Sequence, residues 1–409
     1  MNVLVVATKA PWPPVDGGRF LLLNTLQALA RAGCRLTLAA PVDPARFDLG
    51  EAARELAPWC APRLVPAPPL RPALALLRSP GAPLSVAHHS LSAVHREVER
   101  LLGAERFDLV HAEQLQALPQ TEPAFARGIP VILRAQNVES DLWAEAARRG
   151  RGLRGLFLRR EAKRMAAWEG EAIRRAAVTL ALTEEDAARL GALAGDPDCV
   201  RVVHAPFPKL PPGTGKLAGD PAVVVFGSGG WLPNEDSAAW FAGEIWPAVR
   251  AAVPGAILHL FGADPKLRAP DIVPHPSPKD SAEVYAPGSI LAVPLRIASG
   301  VRIKILEAWA RAVPVVATPA ALAGLEVEDG REALMARGPQ EFADAIARLH
   351  GDPTLVIGLI AEGRRALRER YEPGEIARRM IEAYERTRNS RRDGMRRPTS
   401  LRLPALWST

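Results

Sequence analysis

Apolar residues along this chain fall in short runs, separated by amphipathic stretches and by turns rich in Gly and Pro. The run Asn2–Thr8 predicts a buried strand, PWPPVDGGR a loop, Phe20–Ala32 an amphipathic helix ended at Gly33, and Arg35–Ala40 a second strand. Residues 58–84 are Pro-rich and read as irregular, and Ser90–Leu102 reads as a helix. Short buried strands follow at Asp108–Ala112 and Val131–Leu133. A mostly helical stretch, Glu139–Ala176, has a basic middle broken by glycines; strand Val178–Leu182 and helix Glu184–Leu193 close the first half. Residues 204–221 hold Pro and Gly without an apolar period and read as a linker. Alternation restarts at Ala222 with VVVFGSGG, then helix Ser237–Val253 and strand Ala256–Phe261. Further on come strand Ile290–Leu295, a turn at Ser299-Gly300, helix Val301–Arg311 and the apolar run Val313–Thr318. Helices over Gln340–His350, Leu355–Arg370 and Glu375–Thr387 complete the pattern. Strands alternating with helices over short links imply an α/β fold of two doubly wound parallel sheets. Ligands of such sheets bind beyond the carboxyl ends of the strands, so three loops would line a cleft: Pro11–Arg19, Gly227–Asn234 and Arg296–Gly300.

Composition narrows the class. The 409 residues suit two domains, and 48% hydrophobic with 24% charged residues describe a globular protein. No run approaches a membrane span, and the first residues read as a strand, not as a signal peptide. Cys34, Cys60 and Cys199 are too few and too scattered for a disulfide framework or a zinc site, and fit a reducing cytosol. The net charge is +7, with basic residues crowded at 148–164 and 386–402. Such patches suit anionic lipid or nucleic acid, but no stacking aromatics or nucleic-acid motif stand beside them.

The candidate chemistry sits at strand exits. Gly17 and Gly18 follow the first strand, where N–H groups can face a ligand. Gly227 and Gly229 form a phosphate-sized loop after the strand at Ala222. Gly300, Arg302 and Lys304 bring N–H groups and positive charge to a helix start, where a phosphate is well placed. Glu307 lies further along that helix, within reach of a sugar hydroxyl. His111 and Glu113 end one strand, and Asn137 and Glu139 follow another; each pair reads either as chemistry or as ordinary loop and cap hydrogen bonding. Serine-hydrolase, metalloprotease and D-x-D motifs are absent from the sequence.

Four segments in order carry a resemblance: PWPPVDGGRFLLLNTLQALARAG, RAQNVES, GSGGWLPNEDSAAWFAGEIWPAV and PLRIASGVRIKILEAWARAVPVVATP. Over about residues 1–388 the chain resembles the bacterial family 4 glycosyltransferases, retaining enzymes of the GT-B fold, and within them the branch associated with exopolysaccharide synthesis. The resemblance implies a donor site at Gly17, Gly18, Gly227, Gly229, Asn234, Ser299, Gly300, Arg302, Lys304 and Glu307. Glu307 matches the second Glu of the family's Glu-x7-Glu motif, which holds the donor ribose; Ser299 stands where the first would be. Gln136 occupies a position where many relatives carry His, and as an amide it can only hydrogen bond. Gln136, His111, Arg302 and Lys304 are the residues expected at the chemistry.

The implied division is an acceptor-side domain over 1–205, a linker over 206–221, a nucleotide-sugar domain over 222–374, a crossover helix over 375–388 and a basic disordered tail over 389–409. The implied partners are a nucleotide-sugar donor and a glycan, lipid-linked or small-molecule acceptor. No cofactor, metal or nucleic acid is expected. The expected location is the cytoplasm, with Leu153, Leu156 and Phe157 among the arginines of 148–164 as a contact with an anionic inner membrane face. Two other classes stay open: an impaired homologue acting as a binding or scaffold subunit, and a nucleotide-sugar epimerase.

Overall fold

A computed structural model describes residues 1–68, 75, 81–227, 232–262, 267, 269–278, 280–296 and 300–392. Of the residues singled out above, Gly229 and Ser299, the side chain of Asn234 and the segment 393–409 lie outside the described residues.

The first sheet has seven parallel strands: β1 Asn2–Ala7, β2 Arg35–Val42, β3 Ala61–Pro66, β4 Leu109–Glu113, β5 Val131–Ala135, β6 Val178–Ala181 and β7 Val200–Val202. Their order is β3-β2-β1-β4-β5-β6-β7, which puts β1 and β4 side by side in the middle. The second sheet has six: β8 Ala222–Phe226, β9 Ile257–Phe261, β10 Ile272–His275, β11 Ile290–Val293, β12 Val315–Ala317 and β13 Leu334–Met335, in the order β10-β9-β8-β11-β12-β13. Central strands are buried on both faces, as the apolar runs VLVVA and VVV require, because helices cover each side of a parallel sheet.

Several boundaries differ from the sequence reading. Residues 58–84 include strand β3 and are not wholly irregular; β3 is an edge strand, and its alternation is diluted by prolines at 62 and 66. Helix Gly17–Arg31 begins three residues earlier than expected, because Asp16 caps it by accepting from the Arg19 N–H at 3.0 Å. The stretch read as one helix, Ser237–Val253, is helix Leu232–Trp240, a wide π turn at Phe241–Ile245, and helix Trp246–Ala252. Pro247 explains the break, since it lacks the N–H that would continue the regular ladder.

The segment 206–221 has no helix or strand, yet it is bound along the second sheet. The Phe207 N–H donates to the Tyr371 carbonyl at 2.8 Å, and Phe207 is buried with Val224, Tyr285 and Trp309. The last helix runs Pro373–Arg392, through residues assigned to the tail. It packs on the first domain: Ile376, Ala377, Met380, Ala383 and Tyr384 join the core of Val3, Leu26 and Leu36. Ile376 and Met380 each contribute about 1.5–3 kcal/mol by burial, so this helix is tied firmly to the first strands of the chain.

Candidate functional site

The two sheets meet where their central strands end. After β1 the chain turns at Asp16 into helix Gly17–Arg31; after β11 it turns at Gly300 into helix Ile303–Ala310. These two helix starts touch. A Cβ built on Gly17 would lie 3.6 Å from Ile303, the first residue of the other helix. Phe20 and Phe207 extend the contact, with ring centroids 5.4 Å apart. Two helix N-termini therefore meet at one junction, and their positive dipole ends favour an anion there.

The rest of the seam is equally close. Gly300 has φ +73°, and a Cβ there would meet the Gln136 carbonyl oxygen at 2.1 Å and Asn137 Oδ1 at 2.5 Å. Only glycine combines that backbone angle with that approach. On the far side Gly324 lies against Thr183, with Cβ–Cγ2 at 2.8 Å. Asp186, in the first turn of helix Glu184–Ala194, faces Arg302 and accepts from the Gly300 N–H. Burial raises the Asp186 pKa, while Thr183, Arg302 and Gly300 work the other way.

Positive charge collects at the same place. Lys304 donates from Nζ to the Phe226 carbonyl at 2.6 Å and lies 5.8 Å from the centre of the Phe226 ring. It thus stands at the end of β8, next to Gly227. Burial, helped by the Arg302 charge, pushes its amine down to about 8. Arg302 is buried, and its Nη2 donates to the Ala323 carbonyl at 2.7 Å. Its Nε and Nη1 have no hydrogen-bond partner among the described residues. A buried guanidinium with N–H groups to spare favours an anion nearby.

Glu307 lies one turn further into helix Ile303–Ala310 and is buried. Its Oε1 accepts from the Ser281 hydroxyl and from Arg311 Nε at 3.1 Å. Burial raises its pKa, opposed by Ser281 and Arg311. Across the junction, Gly18 faces two amides: a Cβ there would stand 3.1 Å from Gln136 Oε1 and 3.3 Å from Gln114 Nε2. Gln136 Oε1 accepts from Gln114 Nε2 at 2.7 Å, and Gln136 Nε2 donates to Glu113 Oε1 at 2.8 Å. Gln114 has φ +73° and ψ 151°, a region costly for any residue with a side chain, and that twist turns its amide toward Gln136.

The structure brings Gly17, Gly18, Gln136, Gly300, Arg302 and Lys304 to the junction, with Gly227 beside Lys304. It does not bring His111 there. His111 sits in the middle of β4, opposite Val5 and Ile132, and is wholly buried. Its ring is bonded to Glu113 at 2.9 Å and to Tyr384 at 2.5 Å. Glu113, not His111, ends the strand, and the alternation of side chains puts both on one buried face. A role as a base touching substrate is therefore set aside for His111. Sequence reasoning also passed over Gln114, Asp186 and Tyr384. No sequence signal marks a strained Gln, while Thr183 three residues before Asp186 was a readable cap. An open cavity of about 530 Å³ lies elsewhere, on the outer edge of the first domain, lined by Val202, Arg379 and Arg386 among others.

Comparison with known proteins gives the same architecture. Residues 15–207 match the model described as Glycosyltransferase Family 4, and residues 220–352 the model described as Glycosyl transferases group 1. No curated protein sequence matches the chain. Among solved structures, Anabaena HepE in complex with UDP and glucose is similar at TM-score 0.64 and 16% identity, over 94% of this chain and 100% of that one. Sucrose-phosphate synthase from Thermosynechococcus elongatus is similar at TM-score 0.66 and 16% identity, over 94% and 98%. WaaG, a glycosyltransferase involved in lipopolysaccharide biosynthesis, is similar at TM-score 0.57 and 14% identity, over 92% and 98%. At these identities the likeness shows the fold: two facing α/β domains of the GT-B kind.

Proposed function

The chain belongs to the family 4 glycosyltransferases, and from that premise we propose that it moves a sugar from a nucleotide-sugar donor to a hydroxyl acceptor, retaining the anomeric configuration and using no metal. The setting would be synthesis of a bacterial polysaccharide or glycoconjugate, as in the exopolysaccharide branch it resembles. The observation that carries this reading is the meeting of two helix N-termini at Gly17 and Ile303, with Lys304 and Arg302 behind them. A donor diphosphate placed there gains charge as the bond from anomeric carbon to phosphate oxygen breaks. Fixed N–H dipoles and buried cations stabilise that charge without reorganising, which lowers the barrier. HepE, with the same fold, binds UDP and glucose.

The other residues follow from this placement. Glu307 would take the donor ribose, whose hydroxyls would replace Ser281 on its carboxylate. Gln136 would hold a sugar hydroxyl through its amide. An amide cannot take the acceptor's proton, so the departing phosphate oxygen receives it as the new bond forms on the same face. Domain contact at Gly300 keeps water from the donor.

The acceptor side suggests a lipid surface. Helices Glu139–Arg149 and Gly152–Arg175 form a hairpin whose root is at the site, where Glu169 accepts from the Glu139 and Ser140 N–H groups at 2.9 Å. Its tip carries Leu153, Leu156 and Phe157, which are 88%, 61% and 40% exposed among arginines. Among the described residues no helix is long and apolar enough to cross a membrane. A tip of this kind rests on an anionic surface without crossing it.

The test is turnover of a panel of nucleotide sugars, UDP-glucose first, in excess EDTA, with the product's anomeric configuration read by NMR. Retained configuration and EDTA-resistant turnover are expected. An inverted product, or full loss in EDTA with rescue by magnesium or manganese, would contradict the mechanism.

A further inference from the structure

We propose that Tyr384, on the helix that closes the chain, is a positioning residue for glycosyl transfer, acting through His111 and Glu113 on the amide of Gln136. Resting on the transfer reading above, it adds a residue that touches no substrate. Hydrogen bonds run without a gap from Tyr384 to His111 at 2.5 Å, His111 to Glu113 at 2.9 Å, Glu113 to Gln136 at 2.8 Å, and Gln136 to Gln114 at 2.7 Å. Gln114 in turn accepts from the Thr8 hydroxyl at 2.5 Å.

The direction of the two bonds to Glu113 is fixed by chemistry. Glu113 is fully buried, which alone would raise its pKa, but the His111 bond and the Arg134 charge hold it below the ordinary value. As a carboxylate it only accepts. His111 must then donate from Nε2, and its Nδ1 shares the other bond with the Tyr384 hydroxyl. Gln136 likewise must point its NH2 at Glu113, which leaves its carbonyl oxygen toward Gln114 and Gly18. Removing the Tyr384 hydroxyl takes away the bond that anchors His111 at Nδ1, so the ring turns more freely about its bond to Glu113. The Glu113 carboxylate is then held less firmly, and with it the Gln136 NH2 that donates to it. Tyr384 therefore fixes how tightly the Gln136 amide is placed for a sugar. Arg134 is part of the same arrangement: its Nε is 3.9 Å from Glu113 and its Nη1 is 3.6 Å from Met380, one helical turn before Tyr384.

The experiment compares wild type with Tyr384→Phe, both labelled with 15N in histidine side chains and glutamine amides. Phe keeps the ring packing, and a melting curve reports whether the fold is intact. The His111 Nδ1 resonance, which loses its partner, and the Gln136 amide resonance should both move. With UDP-glucose, kcat should fall about tenfold, the size of one lost hydrogen bond, while KM for UDP-glucose holds. In a Gln136→Ala background the same change should cost nothing further. An unmoved Gln136 resonance, an unchanged kcat, or independent effects of the two substitutions would overturn the proposal. Should Tyr384→Phe fail to fold, His111→Gln, which keeps a donor for Glu113, should leave the Gln136 resonance nearer its place than His111→Ala does; equal displacement overturns the coupling. If wild type turns over no nucleotide sugar, the transfer reading fails, and the Gln136 resonance still decides whether Tyr384 positions it.

Discussion

Lys304 keeps its ammonium in a buried place, and its pKa of about 8 gives it a charge change within reach of an ordinary assay. A diphosphate favours the charged form. Nucleoside diphosphate affinity should therefore hold up to about pH 7 and fall as pH passes 8. Folding stability should move the other way. The unfolded lysine keeps its proton up to the ordinary 10.5, so between 8 and 10.5 the unfolded chain binds more protons and the fold gains stability as pH rises. Calorimetric titrations with UDP at pH 7 and 9 check the first sign, and melting curves in the same buffers check the second; affinity that rises with pH would refute the placement. Lys304→Ala and Glu307→Ala should each weaken UDP binding by about 1–3 kcal/mol, as for a lost charged hydrogen bond. Unchanged affinity in both would remove the donor site from this helix. Lys304 and Gly18 were readable from the sequence because strand exits and helix starts carry their own signals. His111 was not: its type and position fit a base, and only the register of β4 shows that it faces inward.

At the scale of elements, the legible parts are those with an apolar period. β1, β4, β8 and β11 were found because they are buried on both faces. β3, β7, β10 and β13 were missed; they lie toward the sheet edges, and β3, β7 and β10 carry arginine, histidine or proline while β13 is only two residues long. The seam between helices was invisible for a different reason. It depends on glycines whose neighbours are far away in sequence, and no local pattern encodes them. Gly300→Ala is the direct probe. Its new methyl would sit 2.1 Å from the Gln136 carbonyl with φ at +73°, so the domains must part or the loop must shift. A loss of about 2 kcal/mol in stability, with weaker UDP binding, is expected from the strain and the clash. A melting temperature and UDP affinity equal to wild type would show that the seam is not closed in solution.

For the whole molecule, the closing helix and the hairpin do different work. Helix Pro373–Arg392 follows Tyr371, which is packed in the second domain, and itself packs on the first, so it joins the two. The hairpin reaches outward from Glu139, and its eleven-residue arm sets the tip about 16 Å from that residue. With liposomes containing anionic lipid, the protein should co-sediment at low salt and release as salt rises, since about 10 Å of screening length at 0.1 M weakens surface charge attraction. Leu156→Glu should abolish binding without changing donor turnover. Protein that stays in the supernatant with anionic vesicles at low salt would leave the hairpin as a solvated tip, with a soluble acceptor. The junction itself is best tested by hydrogen exchange, measured by mass spectrometry on the whole chain with and without UDP in EDTA. Protection should concentrate in the peptides covering residues 17–20 and 300–306, the two helix starts that meet at Gly17 and Ile303. UDP binding that leaves both helix starts exchanging as in the free protein would contradict the placement of the donor.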